Sequence, residues 1–237
     1  MIVSIHQPNY LPWTGLINKI AQSDVFIIFD DIQLPRGKSY IIRTKIKTSN
    51  GSKWITVPVK EKSKLLKIND VQINNNINWK EEHCNKIFEN YKEAPYFSKY
   101  FNKFEKIIKQ EWVLLNELNT ELIKIILNIL NIETKIIFSS EFNIKLKGTE
   151  KIIELIKSAG ASEYLTGMGK GSERYTLGNE ELFNKGKIEV KYHEFVEPKY
   201  QQINGDFVSN LSIIDMIFNI GDKETNKRLI LNGVVSN

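Results

Sequence analysis

Apolar positions along the chain follow two periods, and their alternation predicts an α/β fold. Ile2 to Ile5 is a short apolar run that reads as a strand. Trp13, Leu16, Ile17 and Ile20 then recur at three- and four-residue steps, the spacing of one helix face, over Trp13 to Gln22. Val25-Phe26-Ile27-Ile28-Phe29 is continuously apolar at strand length and stops at Asp30-Asp31. A buried parallel strand that delivers polar groups at its C-terminal edge has this form. Strand, helix and strand in so short a stretch make a βαβ unit.

The pattern changes over residues 32–73. Ile41-Ile42, Trp54 to Val59 and Val71-Gln72-Ile73 read as strands, and Ser49-Asn50-Gly51-Ser52 is a strong turn signal, so a hairpin excursion is expected. From Trp79 to about Leu130 the period is helical, with one interruption at Ala94-Pro95. Strands follow at Lys135 to Ser139, Glu163 to Thr166 and Ile188 to Phe195. Helices fall at Thr149 to Ala159, ended by Gly160, and around Ser212 to Gly221. The expectation is a single α/β domain over 1–237, a Rossmann-like, mostly parallel sheet with a hairpin excursion and a helical insertion or lateral layer at approximately 79–130. A two-domain split near residue 75 is the alternative.

Composition fits that reading. With 41% hydrophobic residues in 237, the chain can bury a sizeable core, which argues against disorder. No run of eighteen apolar residues occurs and the N-terminus lacks a signal-peptide pattern, so the expected compartment is the cytoplasm, with no membrane partner. The 33 Lys plus Arg against 28 Asp plus Glu leave a formal net charge of +5. These cations are scattered, and a solvated surface explains them better than a nucleic-acid stripe does. Cys84 is the single cysteine, so it forms no internal disulfide. Its neighbour His83 invites a nucleophile reading, but adjacent residues on a helix diverge, and an ordinary structural role is favoured.

Sites in parallel sheets form beyond the C-terminal ends of the strands. His6 and Gln7 stand there after the first strand, and Asp30, Asp31 and Gln33 after the second. If those strands are neighbours, the group faces one cleft, with His6, Asp30 and Gln7 as the catalytic candidates. The ordinary pKa of His6 near neutrality suits it to acid or base work. The plainer alternative is a strand-end histidine bonded to a backbone carbonyl. Pro8 and Pro12 fix the loop that carries Tyr10 and Trp13.

Arg36, Lys38, Arg43 and Lys45 follow the second strand, and Arg43 and Lys45 alternate with Ile42 and Ile46, which puts both cations on one face as a clamp for phosphate or carboxylate. A solvated hairpin is the alternative. Adjacent aspartates point to opposite faces of a strand, so no metal site is assigned. The segment from Tyr164 to Tyr175 opens a strand into a loop with Thr166, Gly167, Lys170 and Ser172, a composition that can cradle an anion. It is not the GxxxxGK[ST] pattern. Asp215, inside an apolar helix, reads as a structural hydrogen-bond partner.

Taken in order, IHQPNYLPWTGLINKI, DVFIIFDDIQ, Arg43 to Lys47, WITVPV, Trp79 with His83, YLTGMGKGSERY, YQQ and FVSNLSIIDMIFNIG resemble the WbqC-like family over nearly the whole chain. The resemblance implies a place in bacterial surface-polysaccharide and O-antigen biosynthesis, with tailoring of an amino sugar. It marks His6, Gln7, Tyr10, Trp13, Lys19, Asp30, Gln33, Arg43, Lys45, Gly167, Tyr175, Gln202, Ser212 and Asp215 as shared positions. A looser similarity links the strand, histidine loop, helix and Asp-ended strand to the nucleotidyltransferase and pantothenate-synthetase superfamily. The paired histidines of that group are absent, since the next histidine after His6 is His83.

The expected function is transfer of an acyl or aminoacyl group, glycyl among the candidates, to the amine of a nucleotide-linked amino sugar. ATP with a free acid, an acyl-CoA or an aminoacyl-tRNA are the candidate donors. The binding candidates are Tyr10, Trp13, Lys19, Asp31, Gln33, Arg43, Lys45, Thr166, Gly167, Lys170, Ser172, Tyr175 and Gln202. The alternatives are a non-catalytic nucleotide-sugar binding protein that assists a neighbouring enzyme and a tRNA-binding module.

Overall fold

A computed structural model describes residues 1–35, 37, 39–60, 65–231 and 233–236. The predicted opening unit is present as β1 (Ile2–His6), α1 (Thr14–Ala21) and β2 (Val25–Ile28). The hairpin follows as β3 (Arg43–Thr48) and β4 (Gly51–Thr56), an antiparallel pair that turns at Ser49-Asn50. Ile41 and Ile42 lie in the turn before β3, and Val59 and Ile73 form only an isolated bridge. Arg36 and Lys38 lie outside the described residues.

The helical stretch is three helices: α2 (Trp79–Tyr91), α3 (Phe97–Ile108) and α4 (Leu115–Ile129). The chain then runs through β5 (Lys135–Phe138), α5 (Gly148–Ser158), β6 (Glu163–Gly167), α6 (Lys170–Thr176), α7 (Glu180–Lys185), β7 (Glu189–Phe195), α8 (Ile213–Leu231) and β8 (Gly233–Ser236). Gly160, at φ +75°, supplies the left-handed stop after α5, and its N–H donates to the Lys157 carbonyl at 2.8 Å. A similar break at Gly221, φ +76°, divides α8.

The main sheet has the order β5-β2-β1-β6-β7-β8, parallel except for β8. Its core lies on both faces. One face carries Leu16, Ile17 and Ile20 of α1, continuous with Phe26, Ile28, the inner sides of α2, α3 and α4, and Met216, Ile217 and Phe218 of α8. The other carries Val3, Ile5, Val25 and Ile27 against Ile152, Leu155 and Ile156 of α5 and Phe183 of α7. Ile17 and Ile20 are fully buried, so truncating either to Ala would cost about 2–5 kcal/mol.

From β1 the chain moves one way, to β2 and β5, and later returns to the other side of β1 with β6 and β7. The strand order therefore reverses between β1 and β6. Loops leave toward opposite faces at that point, and a crevice opens beyond the strand ends. Among the described residues no helix is long and apolar enough to cross a membrane.

Candidate active site at the strand-order reversal

A cavity of about 710 Å³ occupies that crevice. Its wall is drawn from the ends of β1, β6 and β7, the segment after β2 at Phe29, Ile32 and Pro35, the inner side of α1, and α6. The β1–β6 register, carried two residues past Ser4 and Leu165, sets His6 beside Gly167, and Gly167 pairs with His193. His6, Gly167 and His193 thus form one row across three strands. In-register residues of parallel strands face the same side, and strands stand about 4.8 Å apart, so the histidine backbones are roughly 10 Å apart with no side chain between them.

The two imidazoles have defined tautomers. His6 Nδ1 lies 2.8 Å from the Gln7 carbonyl, which can only accept, so Nδ1 carries the proton and the Nε2 lone pair is left for the cavity. His193 Nε2 bonds Asn18 Oδ1. The Asn18 amide is oriented because its Nδ2 donates to the Leu229 carbonyl at 2.6 Å and its Oδ1 accepts from Gln22 Nε2 at 2.9 Å. His193 is therefore the Nε2–H form. Burial first, and the nearby Lys19 charge second, push the His6 pKa down to about 3 and that of His193 down to about 4. Both rings are neutral near pH 7.

Lys19 projects from α1 onto the same row. Its side chain is buried, 4% exposed, and its Nζ donates to the Ile5 carbonyl at 3.3 Å. No carboxylate among the described residues forms an ion pair with it, and burial alone pushes its pKa down to about 8. Trp13 closes one side, edge-on to Phe195 at 6.1 Å. Its ring lies over Gly15, where an added Cβ would come within 2.2 Å of it. Tyr175, edge-on to Phe29, and the Arg174 guanidinium, 4.6 Å from the Tyr175 ring centre, form the opposite side with Ser172.

The loop carrying Gln7 is held from four parts of the chain. Asn119 Nδ2 donates to the Pro8 carbonyl at 3.0 Å, and the Tyr10 amide donates to the Tyr40 carbonyl. The hydroxyls of Thr44 and Ser212 both donate to the Leu11 carbonyl, at 2.8 and 2.9 Å. These bonds fix Leu11 at φ +41°, a conformation that a branched side chain seldom adopts.

Of the residues singled out from sequence, His6, Gln7, Trp13, Lys19, Gly167, Ser172 and Tyr175 line this one cavity. The others lie elsewhere. β1 and β2 are parallel neighbours as expected, and Phe29 and Ile32 after β2 line the cavity, but Asp30 between them does not. The Asp30 carboxylate instead accepts from the Ser140 amide at 3.1 Å, the Ser140 hydroxyl at 2.8 Å and Asn116 Nδ2 at 3.3 Å. Asp31 is ion-paired with Lys151. Gln33 is exposed and bridges to Lys67. Arg43 and Lys45 do share a face, but the Arg43 guanidinium lies 3.8 Å from the Trp54 ring centre on the hairpin, away from the cavity.

Tyr10 is buried against His83, its hydroxyl 2.9 Å from Nδ1. His83 Nε2 donates to the Thr56 carbonyl, so the ring is structural, and burial pushes the adjacent Cys84 thiol up to about 12. Thr166 is fully buried and Lys170 is exposed outside the cavity wall. Gln202 donates to Asp215 Oδ2 at 2.9 Å, beside the Tyr200 hydroxyl, and clasps residue Val208 to α8.

Sequence reading missed Arg174, Phe195 and above all His193. A signal was present: His193 falls near the end of a strand read correctly, the same station His6 occupies on β1.

A profile of the WbqC-like protein family matches residues 7–227. The chain belongs to this family. The WbqC-like chain is also 33% identical over 222 residues to the uncharacterized protein Rv1507c of Mycobacterium tuberculosis, covering 92% of this chain and 94% of that protein. No solved structure matches it. The match begins at Gln7, on the cavity loop, and runs past β7, so the aligned region takes in nearly the whole wall of the cavity in this WbqC-like chain.

Proposed function

We propose that the chain is an enzyme of bacterial surface-polysaccharide biosynthesis that moves an acyl or aminoacyl group onto the amine of a nucleotide-linked amino sugar. The observation that carries the reading is the His6 Nε2 lone pair, turned to a cavity at the strand-order reversal by the bond from Nδ1 to Gln7. The cavity is large enough for a sugar with part of its nucleotide. The Ser172 and Tyr175 hydroxyls suit sugar oxygens, and the Arg174 guanidinium at the rim suits the diphosphate.

In the reaction, the sugar amine attacks the carbonyl carbon of the donor while His6 Nε2 accepts a proton from the nitrogen. Collapse of the tetrahedral adduct expels the donor's oxygen or sulfur, which takes the proton back from His6. The Gln7 amide lies on the same wall to orient the carbonyl.

The test is product formation by mass spectrometry from a nucleotide-linked amino sugar with ATP plus free amino acid, acyl-CoA or aminoacyl-tRNA. One donor is expected to give an N-acylated sugar, and His6→Gln to lower turnover at least a hundredfold with sugar binding kept. Unchanged turnover in His6→Gln would remove His6 from the reaction. The second reading is a non-catalytic nucleotide-sugar binder, favoured by the weak basicity of both buried imidazoles. Tight sugar binding with no product from any donor would select it.

A further inference from the structure

We infer that the cavity floor is an anion subsite, in which Lys19, between His6 and His193, receives the carboxylate or phosphate oxygens of the ligand. The inference rests on the reading of this cavity as a substrate site, and holds whether or not acyl transfer occurs there.

Lys19 is nearly all removed from solvent and reaches the cavity wall, yet among the described residues its one hydrogen bond is to a backbone carbonyl at 3.3 Å. A buried ammonium with three donors is costly unless it is paired and hydrogen-bonded. Among the described residues there is no such pairing. The rings that feel its charge, His6 from β1 and His193 from β7, are both neutral, and the charged groups elsewhere on the lining, Arg174 of α6 and Glu194 of β7, are exposed. On α1, Asn18 is committed to His193 and Leu229, and just beyond the helix Ser23 is committed to Ser4.

Gly167 keeps the row open. A Cβ there would meet Ser172 Oγ at 3.4 Å, and glycine leaves free the space beside it that an anion's oxygens would fill. The ligand class that follows is a compound with an acidic group at the end that enters first, such as a carboxylated sugar or a sugar phosphate.

An anion on Lys19 has a consequence for its neighbours. The Lys19 charge is one reason both imidazoles resist protonation. Neutralising it would raise the basicity of His6 and His193 together, so ligand binding would tune the ring that the proposed reaction uses.

The experiment follows the imidazole NMR signals of the full chain during titration with sodium acetate in one arm and sodium phosphate in the other. A saturable shift of the His6 and His193 signals is expected in at least one arm, and the responding arm names the acidic group. The affinity is expected to fall about tenfold per pH unit above pH 8, where Lys19 loses its proton. Lys19→Met is expected to abolish the response and, in the ligand-free protein, to raise the His6 pKa. That variant removes an unpaired buried charge, so it is expected to fold; Lys19→Arg, which keeps the charge, should retain a saturable response. No saturable shift in either arm, or equal responses in wild type and Lys19→Met, would overturn the subsite. Loss of product without loss of anion binding would instead count only against acyl transfer.

Discussion

His6 and His193 stand in the same cross-strand row, one at the end of the first strand and the other near the end of the last parallel one, with only the backbone of Gly167 between them. Each ring has one nitrogen committed to the protein and one lone pair left over. The pair therefore presents two acceptors and no fixed charge, and the positive charge of the floor comes from Lys19.

Gly15→Ala tests how the wall is built. The new Cβ would overlap the Trp13 ring at 2.2 Å, so the indole must leave its place against Phe195. A loss of about 1–3 kcal/mol of stability is expected, with a change in Trp fluorescence and at least tenfold weaker sugar binding by calorimetry. Wild-type binding would show that Trp13 does not shape the site.

Stability should fall in mild acid. The folded pKa values of His6, His83 and His193 are about 3, 4 and 4, all below the ordinary value of 6.5, so between pH 6.5 and about 4 the unfolded chain binds more protons. Folding free energy contributed by these groups is full above pH 6.5 and is lost as pH drops toward 4. Asp215 acts oppositely: its pKa is raised to about 6, so the folded state holds an extra proton between pH 3.8 and 6. Three groups against one leave a net loss, and urea midpoints at pH 7.5 and 5 should show it. A higher midpoint at pH 5 would contradict the burial of the three rings.

Asp30→Asn should behave as a structural change. Removing the charge that accepts from Ser140 and Asn116 is expected to cost about 1–3 kcal/mol in thermal or urea unfolding. The pH profile of any turnover should keep its shape. A displaced profile would return Asp30 to the chemistry.

Cys84 is expected to be inert. Its thiol is buried and its pKa is pushed up to about 12, so a disulfide reagent at pH 8 should modify it only after unfolding. Cys84→Ala should keep sugar binding and lose at most a few kcal/mol. Rapid labelling of the native chain would show that α2 opens.

Much of the fold was legible because apolar periodicity is a local record of burial. Val25 to Phe29 could only be a strand covered on both faces, and the three- and four-residue steps of α4 could only be a helix. The ends were less clear: Ile41-Ile42 has strand composition but sits in a turn, held by Asn119 Nδ2 on the Ile41 carbonyl. At the site, residues of the first strand and the glycine loop were readable from their place after apolar runs. Asp30 misled because sequence places it after the second strand but does not show which way its carboxylate turns, here onto Ser140 and Asn116. His193 was hidden because its tie to His6 exists only through β6.

The bonds on the Leu11 carbonyl set an order of assembly. β1 is made before the residues that fasten the loop after it, Thr44 and, much later, Ser212, and the cavity floor is complete only when β6 and β7 have been made. A nascent chain that stops short of Ser212 thus carries His6 and Lys19 without the site, and whatever activity the cavity has is withheld until β6, β7 and Ser212 have been made.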